Sequence, residues 1–180
     1  VKPYQPAGYW RHLNFPSRKW SHDNNKDQYR RGLYTHWQRS FLHPSLLAFD
    51  APSREECTAE RPRSNTPLQA LVLLNDITYV EAARSFAERI IKEGGTDLNA
   101  RINWALYTAL SRKGTDKEIQ ILSELQAQQN NRYKEDVDAA KAFNSTGIKP
   151  PPENIDPVEL ASWTSVARTI LNLHETITRH

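Results

Sequence analysis

Beyond Thr66 the apolar residues of the chain return every three or four positions, the period of a helix with one buried face. Thr66-Pro67 reads as a helix start, because Thr66 can accept a bond from a first-turn amide and Pro67 has no amide to leave unsatisfied. A short apolar helix over 67–74 is expected. Asn75-Asp76 offers the next cap, after which Val80, Ala83, Ala87, Ile90 and Ile91 share one face while Glu81, Glu88, Arg89 and Lys92 are expected to point to solvent. Gly94-Gly95 closes that helix. Asp97 opens a third, whose stripe of Leu98, Ile102, Ala105, Leu106, Ala109 and Leu110 is stopped by Gly114. Thr115-Asp116 opens a fourth. Its stripe begins Ile119, Leu122, Leu125 and crosses the polar Gln128-Gln129-Asn130-Asn131 before Tyr133, Val137, Ala140 and Phe143, so a solvated or bent middle is expected there. Ser145-Thr146-Gly147 and Pro150-Pro151-Pro152 form a stiff connector, since consecutive prolines favour polyproline II. Asp156-Pro157 then caps a last helix along which Leu160, Trp163, Ala167, Ile170, Leu171 and His174 align.

The first 66 residues follow no such period. Pro3, Pro6, Pro16, Gly8 and the polar run over 21–27 deny the backbone a long regular element. An ordered loop with short strands is the reading, because its aromatic residues are too many for a disordered tail. Between Tyr29 and Phe41 two patterns compete. Leu33, Trp37 and Phe41 share a helical face, whereas Leu33, Thr35 and Trp37 alternate as in a strand, and Pro44 interrupts either element. The fold expected is mainly α: an irregular aromatic- and Arg-rich N-terminal segment (1–66) packed on a bundle of about four to five helices (67–180), with a Pro-rich connector near 148–157. Short capped connections suggest antiparallel neighbours, and no repeat period points to a solenoid.

Composition sets outer bounds on this picture. The 180 residues suit one domain, or the C-terminal part of a larger one. With no methionine at all, Val1 reads as the start of a fragment or a processed product. No apolar run approaches the roughly 20 residues of a membrane-spanning helix, and no basic-then-apolar leader opens the chain, so a soluble domain is expected. The single cysteine excludes an internal disulfide, a Cys-rich zinc site and a covalently attached c-type haem within this chain.

Charge separates the two halves further. Residues 1–63 hold 11 Lys/Arg against 6 Asp/Glu, a net +5, and residues 64–180 hold 13 against 15, a net −2. Ten of the seventeen aromatic residues also lie in the first 63.

Candidate chemistry is sparse. Cys57 would need to be a thiolate to attack, and Glu55, Glu56 and Glu60 oppose that charge, so a small buried structural residue is expected. His12, His22, His36 and His43, with Asp23 and Asp50, are metal-ligand types, but they lack the i, i+4 and His-x-His spacings, and no metal site is assigned. Asp50 and Asp76 could be paired carboxylates of a glycosidase, yet a turn and a helix cap explain them better. No Gly-rich phosphate loop occurs, and neither a basic helix nor an aromatic-bearing sheet supports nucleic-acid binding. The arginines say more. Arg30, Arg31, Arg39, Arg54, Arg61 and Arg63 carry guanidinium groups suited to carboxylate, sulfate or phosphate, and Trp10, Trp20 and Trp37 offer faces for stacking. Arg30, Arg31, Arg54, Arg61, Arg63, Trp10, Trp20 and Trp37 are therefore the candidate ligand or interdomain contacts. The competing reading is that the arginines bond loop carbonyls and acids while the tryptophans pack internally.

Four motifs occur in order along the chain: Tyr29-Arg30-Arg31-Gly32-Leu33-Tyr34, Phe49-Asp50-Ala51-Pro52, Asn65-Thr66-Pro67-Leu68-Gln69-Ala70-Leu71 and Leu171-Asn172-Leu173-His174-Glu175. Together they closely resemble the C-terminal part of the planctomycete-specific domain of unknown function, over nearly the whole chain. That family accompanies planctomycete-type cytochrome c domains in large bacterial proteins. The resemblance implies export to the periplasm or cell surface and a preceding N-terminal portion as a partner. It also implies haem in another domain of the parent, with no cofactor in this chain. His174 stands where the family commonly has an acidic residue, which weakens any catalytic role there. No activity transfers. The function expected is a non-catalytic scaffold or interaction module of a larger cell-envelope protein linked to c-type cytochrome modules. The alternative is part of an enzyme that oxidises or hydrolyses polysaccharide, with an Arg-rich site for an anionic glycan.

Overall fold

A computed structural model describes residues 1–12, 19–38, 41–53, 55–60, 62 and 64–178. Among them all regular structure is helical, and the strands expected near the N-terminus are absent. The chain divides into two compact units, Val1–Val72 and Leu73–His180.

The N-terminal unit is built from single 3-10 turns at Tyr9–His12, Lys26–Tyr29 and Gly32–Tyr34, followed by the short helix α1 (Pro44–Ala48) and the start of α2 (Pro67–Asn75). Among the described residues of 29–41 neither of the competing helix and strand patterns forms, because Gly32–Tyr34 is a single 3-10 turn and the residues beside it follow no regular element. Asn25 caps the Lys26–Tyr29 turn by accepting from the Asp27 amide at 2.8 Å, and a Cβ at Gly32 would meet Leu46 Cδ2 at 2.9 Å, so the glycine lets the Gly32–Tyr34 turn lie close against α1. His43 begins α1. Its Nδ1 accepts from the Ser45 amide at 3.3 Å, so the ring proton sits on Nε2 and donates to the Tyr4 carbonyl at 2.8 Å.

Asp50 ties the neck of the loop between α1 and α2. It adopts the left-handed conformation (φ 56°), and its carboxylate accepts from the Ser64 amide at 2.8 Å, the Ser64 hydroxyl at 2.7 Å and the buried Gln69 amide at 3.4 Å. Thr66 and Gln69 bond each other's backbone amides, a reciprocal cap at the start of α2. The loop so closed carries Cys57, which is exposed. That overturns the expected buried role. Glu55, Glu56 and Glu60 surround it in sequence, and the loop has too little apolar surface to cover a thiol.

The C-terminal unit is a helix bundle: α3 (Ile77–Glu93), α4 (Leu98–Leu110), α5 (Asp116–Glu135), α6 (Val137–Asn144), α7 (Pro157–Leu171) and the short α8 (His174–Ile177). The expected caps form: Asp76, Asp97, Thr115 and Asp156 each accept from a first-turn amide, and Thr115 with Glu118 completes a capping box. α7 is the central helix, packing on α3, α4, α5 and α6. Its Leu160, Trp163, Val166, Ala167 and Ile170 interlock with Ala83, Ala87 and Ile90 of α3 and with Ile102, Ala105 and Leu106 of α4.

Four expectations are corrected here. α4 ends at Ser111, which takes the left-handed conformation (φ 59°), so Gly114 does not stop it. Gly114 instead lets the chain lie close to α4, since a Cβ would meet Leu106 Cδ1 at 2.6 Å. α5 runs unbroken through Gln128–Asn131, so the bent middle is not found, although the solvated one is, with Gln128 and Asn131 exposed; the break comes at Asp136, which closes α5 with its N–H and opens α6 with its carboxylate. His174 leaves the α7 stripe and begins α8, exposed. Glu81 and Glu88 are buried, at 4% and 6% exposure, not solvent-facing.

α3 thus has a second buried face. Glu81, Arg84 and Glu88, spaced i, i+3, i+7, point at the turn after α6. Arg84 is 1% exposed and donates to the carbonyls of Asn144 (2.5 Å) and Lys149 (2.6 Å). Glu81 accepts from the amides of Ile148 (3.0 Å) and Lys149 (2.7 Å), and Lys149 Nζ reaches Glu88 at 2.8 Å. Gly147 (φ 103°) permits this approach, because a Cβ there would sit 2.3 Å from Glu81 Oε2. Among the described residues no helix is long and apolar enough to cross a membrane.

Candidate functional site

The N-terminal unit contains a cleft of about 610 Å³ lined by Tyr4, Gln5, Pro6, Ala7, Gly8, Trp10, Lys19, Trp20 and His22. Its wall is an aromatic stack. Trp10 and Trp20 lie nearly parallel, 13° apart with centroids at 5.2 Å, and Phe41 packs against Trp10 at 4.7 Å and Tyr9 at 4.6 Å. Tyr4 meets His22 edge-on at 5.8 Å. The pairing of rings brings residues together that the turns alone could not, and each such pair contributes about 0.5–1.5 kcal/mol beyond its burial.

Both indole N–H groups are held internally. Trp10 donates to the Gln5 side chain and Trp20 to the Pro3 carbonyl at 3.0 Å. Behind them Lys2 and Asp23 exchange backbone and carboxylate bonds at 2.7 and 2.8 Å, and Gln28 donates to the Asp23 carbonyl. Lys2 Nζ stands 5.9 Å from the Trp20 ring, a cation over an aromatic face. The wall is thus preorganised, and with Trp10 itself buried it offers a ligand the partly exposed Tyr4 and Trp20 rings, the exposed Lys19 ammonium and the His22 imidazole.

The structure unites only part of the predicted set. Trp10 and Trp20 share the cleft. Arg30 lies elsewhere in the unit, bonded to Asp27 at 2.8 Å and set over the Tyr34 ring at 5.7 Å, and its guanidinium holds the Asp27 carboxyl below the usual carboxylate range. Arg31 is exposed and precedes the Gly32–Tyr34 turn, and Trp37 is half-buried; neither lines the cleft. Arg54, Arg61 and Arg63, like Arg39, lie outside the described residues. Asp50 and Asp76 take the neck and cap positions described above. Among the described residues no three His, Cys, Asp or Glu side chains gather as metal ligands.

Sequence reasoning missed Lys19, Tyr4 and Gln5 as cleft residues and Arg84 altogether. The alternation of charge at Glu81, Arg84 and Glu88 was a readable signal for the latter, whereas no sequence spacing marks the cleft residues.

The matched family now has structural context. The model of PSD1, a protein of unknown function (DUF1553), matches residues 1–126. The chain belongs to the PSD1 family. The match takes in the whole cleft-bearing unit together with α3, α4 and the first half of α5, and it stops before the terminal Leu171-Asn172-Leu173-His174-Glu175 motif. No curated protein and no solved structure matches the chain. Membership in PSD1 therefore brings a family of unknown function, and the chemistry rests on the cleft.

Proposed function

We propose that this PSD1 chain is a non-catalytic interaction module, with the helical unit as scaffold and the aromatic cleft of the basic N-terminal unit as its recognition surface. The observation that carries this reading is the Trp10–Trp20 stack beside Lys19, in a segment of net positive charge. Ring faces of this kind take flat or apolar ligand surfaces, and the ammonium selects those bearing negative charge. An anionic glycan, with a sugar ring against the aromatic wall and its acid group at Lys19, fits both requirements. A cell-envelope protein with c-type cytochrome modules elsewhere in the parent is the setting that the family resemblance supports.

The test is a titration of the chain with a uronic-acid oligosaccharide and its neutral counterpart, followed by intrinsic tryptophan fluorescence. The anionic sugar is expected to bind more tightly, with an affinity that falls as salt rises, and Lys19→Gln should weaken it by about tenfold. Equal response to both sugars, or none to either, would remove the basis for the proposal. The second reading, a polysaccharide-active enzyme, would use the same cleft for substrate. The described lining residues hold no carboxylate, so the acid and base would have to come from another part of the parent protein.

A further inference from the structure

From the helical unit, independently of the cleft, we infer that Pro150-Pro151-Pro152, leaving the surface from the bends at Ile148 and Lys149, is a preorganised polyproline II ligand for an aromatic-lined groove on a partner protein. Proline fixes φ near −65°, and a following proline holds the preceding residue extended, so Pro150 and Pro151 are constrained twice over and Lys149 once. The segment is presented outward: Pro150 and Pro151 are exposed, Ile148 is 38% exposed and the Lys149 side chain 51%.

The base of this ridge is pinned by buried charge. Its two amides, of Ile148 and Lys149, both donate to the Glu81 carboxylate, and the Lys149 carbonyl accepts from Arg84. Glu88 holds the Lys149 ammonium and so neutralises it. A connector needs only to span from α6 to α7. Here three buried charged side chains of one helix fix the direction in which a proline run leaves the surface, and burying such groups favours geometry more than net stability.

The same bonds define the partner. With both amides taken and three residues that have none, the ridge has no N–H left to give and cannot add as a strand to a sheet edge. Its remaining backbone polar groups are all carbonyls, flanked by proline rings. A complementary surface therefore supplies aromatic faces and side-chain donors, the arrangement by which proline-rich segments are read.

The experiment compares the intact chain with the free peptide of residues 145–153 for binding to a WW domain that reads consecutive prolines, by isothermal titration calorimetry. Pinning removes the ordering cost of Ile148 and Lys149, so the intact chain is expected to bind about tenfold more tightly than the peptide. Pro150→Ala/Pro151→Ala, on exposed positions, should abolish binding with the helical circular dichroism unchanged. Glu81→Gln should lower the affinity toward that of the peptide while leaving the prolines in place. Binding by the intact chain no tighter than by the peptide, binding that survives the double substitution, or no binding by either species would each overturn the inference.

Discussion

Replacing Arg84 by methionine tests the buried face of α3 most directly. The substitution keeps an unbranched, helix-compatible side chain and removes the cation between Glu81 and Glu88, whose carboxylates stand 3.8 and 3.9 Å from the guanidinium. It also takes the donors from the Asn144 and Lys149 carbonyls. Removing one member of a buried charged set costs about 3–5 kcal/mol, because the remaining charges stay desolvated. Each stranded carbonyl adds about 1–3 kcal/mol if it remains buried, but the turn after α6 can lift and rehydrate, which offsets part of this. A net loss of about 3–5 kcal/mol is therefore expected in urea unfolding followed by circular dichroism. In native-state hydrogen exchange the amides of Ile148 and Lys149 should lose protection, because their acceptor Glu81 is no longer held. Glu81→Gln/Arg84→Met/Glu88→Gln removes the three buried charges of α3 while leaving an amide oxygen at 81 that can still accept from the Ile148 and Lys149 amides, and it should recover part of the lost stability. A single substitution costing less than about 1 kcal/mol, or a triple variant no more stable than the single, would refute the claim that these charges act as a set.

Two further predictions follow from the same kind of geometry. Arg112 bonds Glu118 at 2.7 Å and Glu175 at 2.8 Å, and with the Thr115 amide it draws the Glu118 carboxyl down to about 2. A carboxyl with a depressed folded-state pKa contributes stability that is present above its ordinary value near 4.5 and is lost as pH falls toward 2. The melting temperature of Arg112→Gln should thus lie below that of the parent at neutral pH and converge with it near pH 2; a constant difference across that range would contradict the assignment. Asp50→Ala removes three hydrogen bonds to the loop neck and puts a residue less suited to φ 56° in its place, costing about 2–3 kcal/mol. Limited proteolysis should cut the loop over 51–63 faster, and an unchanged cutting rate would show that Asp50 does not hold the neck.

Local chemistry determined the elements that begin with a cap. Thr66, Asp76, Asp97, Thr115 and Asp156 could be read as helix starts because a cap needs only a side-chain oxygen and an amide two or three residues on. The apolar faces of α3, α4 and α7 were equally legible, since one helix face and its period are properties of a short segment. Family membership was carried by ordered motifs and needed no coordinates.

What tertiary structure decided lies where contacts are distant in sequence. Glu81 and Glu88 look like solvent-facing residues until the turn at 144–149, more than 50 residues away, covers them and supplies amides and an ammonium. Asp50 marks a turn in the sequence, but only the return of Ser64 and Gln69 makes it a knot. The Trp10–Trp20 stack and its cleft arise from turns with no periodic signal, held by aromatic contacts and side-chain bonds that composition can suggest and only the folded chain can assemble. Patterns within one turn of helix act through the backbone next to them, whereas a buried charge or a binding wall depends on which partners arrive from elsewhere.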